Sequence, residues 1–265
     1  MNMFNPRILF STVSAVVLLV AATATHAQPT TTVYSVNVVG FQKVNAVSTN
    51  SGGLVLVANP FEKANPFIDR VVGTGGVAGA NAGLADNVQV FNPGIQEFQT
   101  YWLFSSANPA FNRKWRNTTG FATNVYLTPG MGFWYRNRAG TNLPITLVGD
   151  VVTDPAITNY IAPGLQILSY PYSAPIKLGH ITLTNGIAGS SVGNADTIQL
   201  YDPVTKQFQN YWLFSSANAT FNRKYRNTTG LATNITIQPG QSFWFRSRTN
   251  VVMQWVETIP YNLSN

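Results

Sequence analysis

The side chains most able to do chemistry in this sequence are basic and aromatic residues that occur twice, 110 positions apart. One set lies in residues 112–117 and recurs in residues 222–227, and the other lies in residues 133–138 and recurs in residues 243–248. Arginine forks match phosphate and carboxylate groups, and aromatic faces stack on sugar rings or bases. These segments predict a binding site for an anionic or sugar-rich ligand.

The strand-like segment Phe133–Arg138 indicates how such a site is arranged. Successive side chains of a strand point to opposite faces, so Phe133 and Tyr135 are expected in the core and a Trp-Arg-Arg row outside. In the alternative interpretation, the arginines only solvate the sheet face, cover tryptophans and deter edge pairing. The candidate ligand-binding residues are Arg113, Lys114, Trp115, Arg116, Trp134, Arg136, Arg138, Arg223, Lys224, Tyr225, Arg226, Trp244, Arg246 and Arg248.

The acidic and histidine residues offer little for catalysis. Only Asp86 and Asp196 occupy equivalent positions in the two copies, and one carboxylate per copy cannot form the pair that glycoside hydrolysis usually needs. Each follows an alanine and precedes a strand, which predicts an Asx-turn. His180 aligns with Arg70 and is expected at the surface. We find no zinc, nucleophile-elbow or Walker motif, so we expect no enzyme activity, no metal and no cofactor.

The repeat covers nearly all of the chain after its first residues. Residues 98–123 read FQTYWLFSSANPAFNRKWRNTTGFAT, residues 208–233 read FQNYWLFSSANATFNRKYRNTTGLAT, and weaker matches flank both segments. Each copy of about 110 residues is the size of a small domain. We expect a first β repeat domain over residues 28–150 and a second over residues 151–265, packed together. They are called the first and second copy below.

Composition narrows the class of protein. The chain has 265 residues, of which 45% are hydrophobic, 12% aromatic and only 9% charged. The aromatic content excludes a mainly disordered chain, and the scarcity of charge excludes a long coiled coil. There is no cysteine, so a packed core rather than disulfides must provide stability. The 16 cations outnumber nine acids, for a net charge of +7.

The N-terminus is typical of a secretory signal peptide. Arg7 precedes the apolar run Ile8–Val20, and the small residues Thr25 and Ala27 predict cleavage before Gln28. The run is shorter than the roughly 20 residues that span a bilayer, so we expect no transmembrane helix in the mature chain. We expect an exported protein in the periplasm, on the outer surface or outside the cell. Intracellular nucleic acid is therefore not an expected partner.

Short β-branched and aromatic runs between turn residues predict an all-β fold. We expect two tandem homologous domains of about 110 residues, each a β-sandwich or a partly open β-barrel. A transmembrane barrel is the alternative, disfavoured because Tyr101–Phe104 is apolar on both faces. Residues 92–96 and 202–206 predict hairpin turns. The strands expected in the first copy are Val33–Val44, Leu54–Ala58, Val88–Phe91, Phe98–Phe104, Val125–Leu127, Phe133–Arg138 and Ile145–Val152, with one helical turn near Pro66–Val72.

Three short motifs carry a resemblance to a known group of proteins. They are VYSVNVVGF from Val33, LVANPF from Leu56 and PGMGFW from Pro129. With its duplication, the chain resembles the uncharacterised exported β-proteins of Verrucomicrobia-like bacteria. The resemblance implies a bacterial, exported, non-enzymatic β-protein and transfers no site residue.

Two functional classes follow from these observations. The first is a binding protein at the cell surface, with an anionic polysaccharide, lipopolysaccharide or another glycan as partner. The second is a structural or assembly protein of the cell surface or extracellular matrix, which acts by self-association. The low charge and the many Asn, Thr and Gln residues suit repetitive packing as much as binding.

Overall fold

Strands form nearly all the regular structure of this computed structural model, which describes residues 38–48 and 53–262. The predicted signal peptide and the first part of the strand expected at Val33–Val44 lie outside the described residues. The described residues belong to one compact unit, residues 37–265. No helix among them is long and apolar enough to cross a membrane.

The described part of the first copy contains strands and one short helix. The runs Leu54–Ala58, Val88–Phe91, Phe98–Phe104, Phe133–Arg138 and Ile145–Val152 form strands close to their expected bounds, and the helical turn expected near Pro66–Val72 is also present. The elements are β1 (Val39–Ala46), β2 (Gly53–Ala58), β3 (Phe61–Glu62), α1 (Ile68–Val71), β4 (Asn87–Asn92), β5 (Glu97–Leu103), β6 (Trp115–Arg116), β7 (Gly132–Asn137) and β8 (Leu143–Val151).

The second copy continues with strands alone in its described residues. These are β9 (Ala156–Ile161), β10 (Gly164–Ser169), β11 (Ile176–Lys177), β12 (Thr197–Asp202), β13 (Gln207–Leu213), β14 (Tyr225–Arg226), β15 (Thr236–Ile237), β16 (Ser242–Ser247) and β17 (Met253–Thr258). Both predicted hairpins are confirmed. Asn92 pairs with Glu97 between β4 and β5, and Asp202 pairs with Gln207 between β12 and β13.

Two five-stranded sheets dominate the structure. Their strand orders are β2-β7-β4-β5-β6 and β10-β16-β12-β13-β14, with antiparallel pairing throughout. Smaller sheets are formed by β1-β8-β3, by β9 with β17 and by β11 with β15. Each of these sheets is open and has two edges, so the all-β arrangement is sandwich-like.

Side-chain alternation along the strands builds one core in each copy. Phe133 and Tyr135 of β7 are buried in the first core, as expected, and Phe243 and Phe245 of β16 are buried in the second. Ile145 and Leu147 of β8 contribute to the first core from the smaller sheet. Each core therefore lies between a large sheet and a small one, which buries the apolar face of both.

A third apolar cluster lies where the two copies meet. It contains Leu56, Phe91, Trp134 and Ile167, with Trp244 packed against it. These side chains come from the faces of the two large sheets that point away from the two cores. The two large sheets thus also bury part of their second faces.

Two equivalent turns join the copies by backbone hydrogen bonds. The Ala58 amide donates to the Gly240 carbonyl at 2.9 Å, and the Ser169 amide donates to the Gly130 carbonyl at 3.0 Å. Both glycines have positive φ angles, 85° at Gly130 and 80° at Gly240, which a residue with a Cβ adopts only with strain. The repeated Pro-Gly pairs are therefore part of the contact between the copies.

One strand prediction is wrong. Val125–Leu127 forms only an isolated bridge, between Phe67 and Tyr126, and the two-residue strands β3 and β6 were not expected. A two-residue strand has no periodic pattern of its own, so only the register of its partner reveals it. β6 positions Arg116, one of the candidate residues.

Candidate binding site

Trp134 is not on the exterior where its strand position suggested. It is 7% exposed and lies between the two large sheets, where its ring centroid is 4.8 Å from that of Tyr201. Trp244 is half-buried, and its ring centroid is 4.9 Å from that of Phe91. The other copy covers this face because its apolar side chains need burial. These two tryptophans join the copies and do not provide an open ligand platform.

The arginines of the same strands divide into two kinds. Arg136 is half-buried and Arg246 is exposed. By contrast, the backbone amides of Arg138 and Arg248 donate to buried aspartates and so fix the ends of their strands. The Arg248 side chain also donates to the Ala195 carbonyl at 2.9 Å. Arg136 and Arg246 therefore remain candidates for ligand contact, while Arg248 stabilises a loop.

Arg113 and Arg223 stabilise the loops in which they lie. Arg113 has a φ angle of 56°, and its guanidinium donates to the carbonyls of Thr74 and Gly76 at 2.5–2.9 Å. Arg223 has a φ of 55° and makes the equivalent bonds to Thr184 and Gly186. These guanidiniums connect two loops in each copy. The neighbouring Lys114 and Lys224 are exposed.

Trp115 and Tyr225 are core residues of their copies. Trp115 is 4% exposed and donates its indole N–H to the Gly73 carbonyl at 2.9 Å. Tyr225 is 3% exposed and donates its hydroxyl to the Leu183 carbonyl at 2.6 Å. Both side chains offer a donor to a carbonyl 42 residues earlier, so the exchange of tryptophan for tyrosine preserves this bond.

The strand register produces a different basic-aromatic arrangement, which crosses the strands instead of following one. In the first large sheet, Arg136 pairs with Asn87, Asn87 with Trp102, and Trp102 with Arg116. The second sheet repeats this pattern with Arg246, Thr197, Trp212 and Arg226. Directly paired residues have neighbouring side chains on one face of a sheet. We call these two sets the Arg-Trp-Arg rows.

The edge arginine of each row lies over aromatic rings. The Cζ atom of Arg116 is 5.7 Å from the ring centroid of Trp102 and 4.8 Å from that of Phe104. Arg226 is 5.6 Å from Trp212 and 4.6 Å from Phe214. Each contributes about 0.5–1 kcal/mol of cation–π attraction if exposed. Both donate Nε–H to the next residue's carbonyl at 3.2 Å, and their other N–H groups have no hydrogen bond within the described residues.

The rows also contain buried donors that lack acceptors. The indole Nε1 atoms of Trp102 and Trp212 and the Nε atom of Arg136 have no hydrogen-bond partner in the described part of the chain. Burial, together with the nearby Arg138, lowers the pKa of Arg136. Buried polar groups are normally satisfied, so these donors are a cost to the stability of the fold. All three atoms are out of contact with solvent, so a ligand at the surface does not reach them in this conformation.

The sequence did not single out Trp102 and Trp212. Both lie in runs that are apolar on both faces, which suggested buried strands. Alternation was the available signal, because Tyr101 and Leu103 belong to the core and Trp102 must therefore point away from it. The pairing of Trp102 with Arg116 needed the register between β5 and β6.

The two equivalent aspartates act over long range and not as Asx-turns. Asp86 is buried and accepts the Tyr135 hydroxyl at 2.7 Å, the Val77 amide at 3.1 Å and the Arg138 amide at 2.6 Å. Asp196 accepts the equivalent Arg248 amide at 2.7 Å. These carboxylates connect the end of a central strand to a preceding loop, so their role is structural.

A groove lies beside α1 in the first copy, and its lining includes Trp115, the residue before Arg116 of the row. It has a volume of about 400 Å³ and is lined by Phe67, Arg70, Phe111, Lys114 and Phe121, among others. The corresponding groove of the second copy has about 340 Å³ and includes His180 and Lys224. His180 is exposed, as expected from its alignment with Arg70. The groove is largely apolar in the first copy and polar in the second.

The described residues contain no group of three or more His, Cys, Asp or Glu that could hold a metal ion. The chain shows no significant similarity to known protein families, to curated proteins or to solved structures. The chemistry of its own side chains must therefore carry any functional proposal.

Proposed function

We propose that this protein is an exported, non-catalytic binding protein that holds anionic polysaccharide, lipopolysaccharide or another acidic glycan at the cell surface. The Arg-Trp-Arg rows are the binding surfaces. One observation carries the proposal: in both large sheets a half-buried arginine on the edge strand lies over a tryptophan and a phenylalanine, and a second arginine stands in the same row. The same donors occur at the same place in each copy.

The chemistry of the rows favours a ligand rich in acceptor oxygens. Guanidinium and indole groups donate hydrogen bonds and do not accept them. Arginine forms paired, charge-assisted hydrogen bonds with carboxylate, sulfate or phosphate oxygens. The net charge of +7 adds long-range attraction for polyanions, which salt weakens. Trp102 and Trp212 are each only 8% exposed, so the guanidinium groups of the rows are the parts that meet such a ligand.

Two rows in one chain suit a polymer. Each row has a leucine as its next paired neighbour, Leu54 or Leu165, and both leucines pack against the apolar cluster shared by the copies. The opposite ends of the rows are at the edge strands β6 and β14. A polymer that contacts both rows gains affinity from the second contact because that contact is intramolecular.

Retention on a heparin column at increasing salt tests the proposal. We expect the full chain to be retained at low salt, and Arg116→Ala/Arg226→Ala to elute at clearly lower salt. Lys43→Ala/Lys177→Ala is the matched control, since it removes two exposed charges outside the rows. Arg136→Ala/Arg246→Ala should weaken retention as well. Equal elution of the row variants and the lysine control would refute a role for the rows.

A substitution that retains charge separates geometry from net charge. Arg116→Lys/Arg226→Lys preserves both positive charges but removes the planar forks and their stacking on the rings. We expect retention between that of the wild type and that of the alanine variant. Retention equal to the wild type would reduce the proposal to nonspecific attraction.

Self-association is the second candidate function, and one observation favours it. Strand β1 is at the edge of its sheet, with Phe41 71% exposed and paired with the exposed Val148. Tyr160 of β9 is 68% exposed on another edge strand. Exposed apolar edge strands favour pairing with a second chain. Light scattering over a concentration series tests this, with Phe41→Lys expected to reduce oligomers. A monomer at every concentration would contradict it.

A further inference from the structure

A buried carboxylate of the second copy stands where the first copy has an ordinary core residue. Glu257 of β17 is 3% exposed, and Leu147 of β8, which is fully buried, occupies the equivalent place in the first copy. A buried charge costs stability unless hydrogen bonds compensate for it. Because the first copy has a leucine here, the strand arrangement itself does not require a carboxylate.

Three donors fix one oxygen of this carboxylate. Oε1 of Glu257 accepts the Thr182 amide at 2.7 Å and the indole N–H of Trp255 at 2.7 Å, and the Thr182 hydroxyl lies 2.8 Å away. Trp255 precedes Glu257 by two positions in β17, so both side chains point to the same face. The first copy has Ile145 and Val72 in place of these donor residues. The second copy thus has a set of polar groups that holds the carboxylate in one orientation.

The other oxygen of Glu257 faces a cleft. Oε2 accepts no hydrogen bond from a described residue, and it is not among the polar atoms that lack both a partner and contact with solvent. The small exposed part of Glu257 therefore includes Oε2. The cleft that Glu257 lines has a volume of about 380 Å³, which is within the range of small-molecule sites. Oε2 is a fixed, charged acceptor within reach of a ligand.

Tyr170 provides a second polar group in the same cleft. Its hydroxyl has no hydrogen bond with a described residue and is in contact with solvent. Asn59 follows β2 as Tyr170 follows β10, but Asn59 bonds the Leu127 carbonyl and the Phe61 amide instead. Burial, and next the charge of Glu257, raise the pKa of Tyr170 above its ordinary value of 10, so the hydroxyl stays protonated.

The remaining side chains of the lining indicate which ligand suits the cleft. They include two exposed basic residues and several apolar ones, namely Lys177, His180, Pro175, Ile176, Ile259 and Pro260. The carboxylate repels an anion, and the nearby lysine disfavours a cation. A hydroxyl group is neutral, donates to a carboxylate and pairs with a tyrosine hydroxyl. A sugar ring combines such hydroxyls with C–H groups that pack on apolar side chains.

From this arrangement we infer that the cleft beside β17 binds the hydroxyl groups of a neutral saccharide unit, with Glu257 and Tyr170 as its hydrogen-bonding residues. The site goes beyond the proposed function of the rows, because it uses other residues and recognises hydroxyl groups instead of oxyanions. The first copy has no equivalent site, since Leu147 and Asn59 stand at the two positions. A glycan with both acidic and neutral units provides ligands for the rows and for the cleft.

NMR titration of the isotope-labelled full chain tests the site. The indole N–H of Trp255 bonds the carboxylate, so its signal reports on a ligand at Oε2, and the signal lost in Trp255→Phe identifies it. The probes are the methyl glycosides of glucose, galactose, mannose and N-acetylglucosamine, each added to about 100 mM to reveal millimolar affinity. Methylammonium and acetate are the cationic and anionic controls.

Two variants remove the ligand-binding groups and retain the contacts of the fold. In Glu257→Gln the amide oxygen still accepts the bonds made to Oε1, while an NH₂ group replaces Oε2. Tyr170→Phe removes a hydroxyl that has no partner among the described residues, so folding does not depend on it. Glu97→Gln and Tyr126→Phe make the same chemical changes at exposed positions outside the cleft.

We expect at least one glycoside to shift the Trp255 signal in a saturable way. Glu257→Gln should weaken this binding about tenfold, because a charge-assisted hydrogen bond is lost, and Tyr170→Phe about threefold. The two control variants should change the affinity less than about twofold. A signal that moves with no glycoside, or that moves only with methylammonium or acetate, would overturn the inference. Normal glycoside binding by Glu257→Gln and Tyr170→Phe would assign both residues a purely structural role.

The cleft and the rows are tested independently. Arg116→Ala/Arg226→Ala should bind the glycosides like the wild type, and Glu257→Gln should be retained by heparin like the wild type. If the row variants lose heparin retention and no glycoside binds, the rows stand and the cleft inference is wrong. If a glycoside binds with the expected Glu257 dependence and heparin retention does not depend on the rows, the cleft stands and the proposed function of the rows is wrong.

Discussion

The buried carboxylate that occurs in both copies has different hydrogen-bond partners in each. In the first copy, Asp86 receives the Tyr135 hydroxyl and two backbone amides. In the second copy, Phe245 stands where Tyr135 would be, and Oδ2 of Asp196 has no hydroxyl partner. Burial raises the pKa of Asp196, while the Arg248 amide opposes this effect. Oδ2 of Asp86 thus has two donors, the Tyr135 hydroxyl and the Val77 amide, whereas Oδ2 of Asp196 has none among the described residues.

This difference contrasts with the exchange at Trp115 and Tyr225. There the side chain changes size but both versions donate to an equivalent carbonyl. The comparison indicates that the fold tolerates loss of a hydrogen bond at Asp196 but retains one at Tyr225. The free energy of unfolding of variants at these positions tests that contrast.

The largest effect is expected from removing the charge of each aspartate. In Asp86→Asn, the new NH₂ group faces the Val77 amide, which is itself a donor, and the bond from Tyr135 becomes weaker. This loss should cost about 3 kcal/mol of stability. Asp196→Asn removes a charge that is costly to bury and should change stability by less than about 0.5 kcal/mol or increase it. Urea denaturation of both variants measures this. Equal losses would show that the two sites are energetically alike.

The next largest effect concerns the hydroxyl itself. Tyr135→Phe should cost about 1.5–2 kcal/mol, because a buried hydrogen bond to a carboxylate is lost. The reciprocal Phe245→Tyr places a hydroxyl toward Asp196 and should stabilise the second copy by up to about 1 kcal/mol. Urea midpoints are again the measurement. A destabilised Phe245→Tyr would mean that the second site has no room for the oxygen.

A smaller effect is expected from the donor shared by Trp115 and Tyr225. Tyr225→Phe leaves the Leu183 carbonyl without its partner and should cost about 1 kcal/mol. Tyr126→Phe is the control, because Tyr126 is half exposed. Thermal denaturation of both variants measures the difference. If the two variants melt together, the buried bond adds nothing to stability.

The smallest effect is a dependence of stability on pH. The pKa of Asp196 is raised above its ordinary value of 3.8, chiefly by burial, although Arg248 and Arg223 lower it. A carboxyl whose pKa is higher in the folded state than in the unfolded state favours folding when it is protonated. This contribution to stability is fully present below the unfolded-state pKa and is lost as pH rises through the folded-state pKa. Wild type should therefore lose stability relative to Asp196→Asn as pH rises from about 4. A constant difference across that range would contradict the raised pKa.

Much of the fold followed from local patterns. Asn92-Pro-Gly and Asp202-Pro marked hairpins that the structure contains, and alternation assigned Phe133 and Tyr135 to the core correctly. These features depend on residues that are close in sequence, where turn preference and period-two alternation act directly. The same local reasoning placed Trp134 outside, because one strand does not show what covers its second face.

The candidate site could be predicted only in part. Arg116, Arg136, Arg226 and Arg246, chosen from the sequence as candidates, lie in the rows, but Trp102 and Trp212 were missed; ligand binding by these residues stays a prediction. Arg113 was chosen for its charge, and the structure uses it to connect two loops. Charge and aromaticity are visible in a sequence, whereas the hydrogen bonds already made by a side chain are not.

Composition, the repeated segments and strand periodicity were enough to establish an all-β chain and to select arginines as candidates for binding. Which tryptophan lies beside which arginine depended on the pairing of β5 with β6 and of β13 with β14. Which face is buried depended on contacts between residues more than 100 positions apart. Such contacts form because apolar faces of separate sheets must leave water together, and their register cannot be determined from either strand alone.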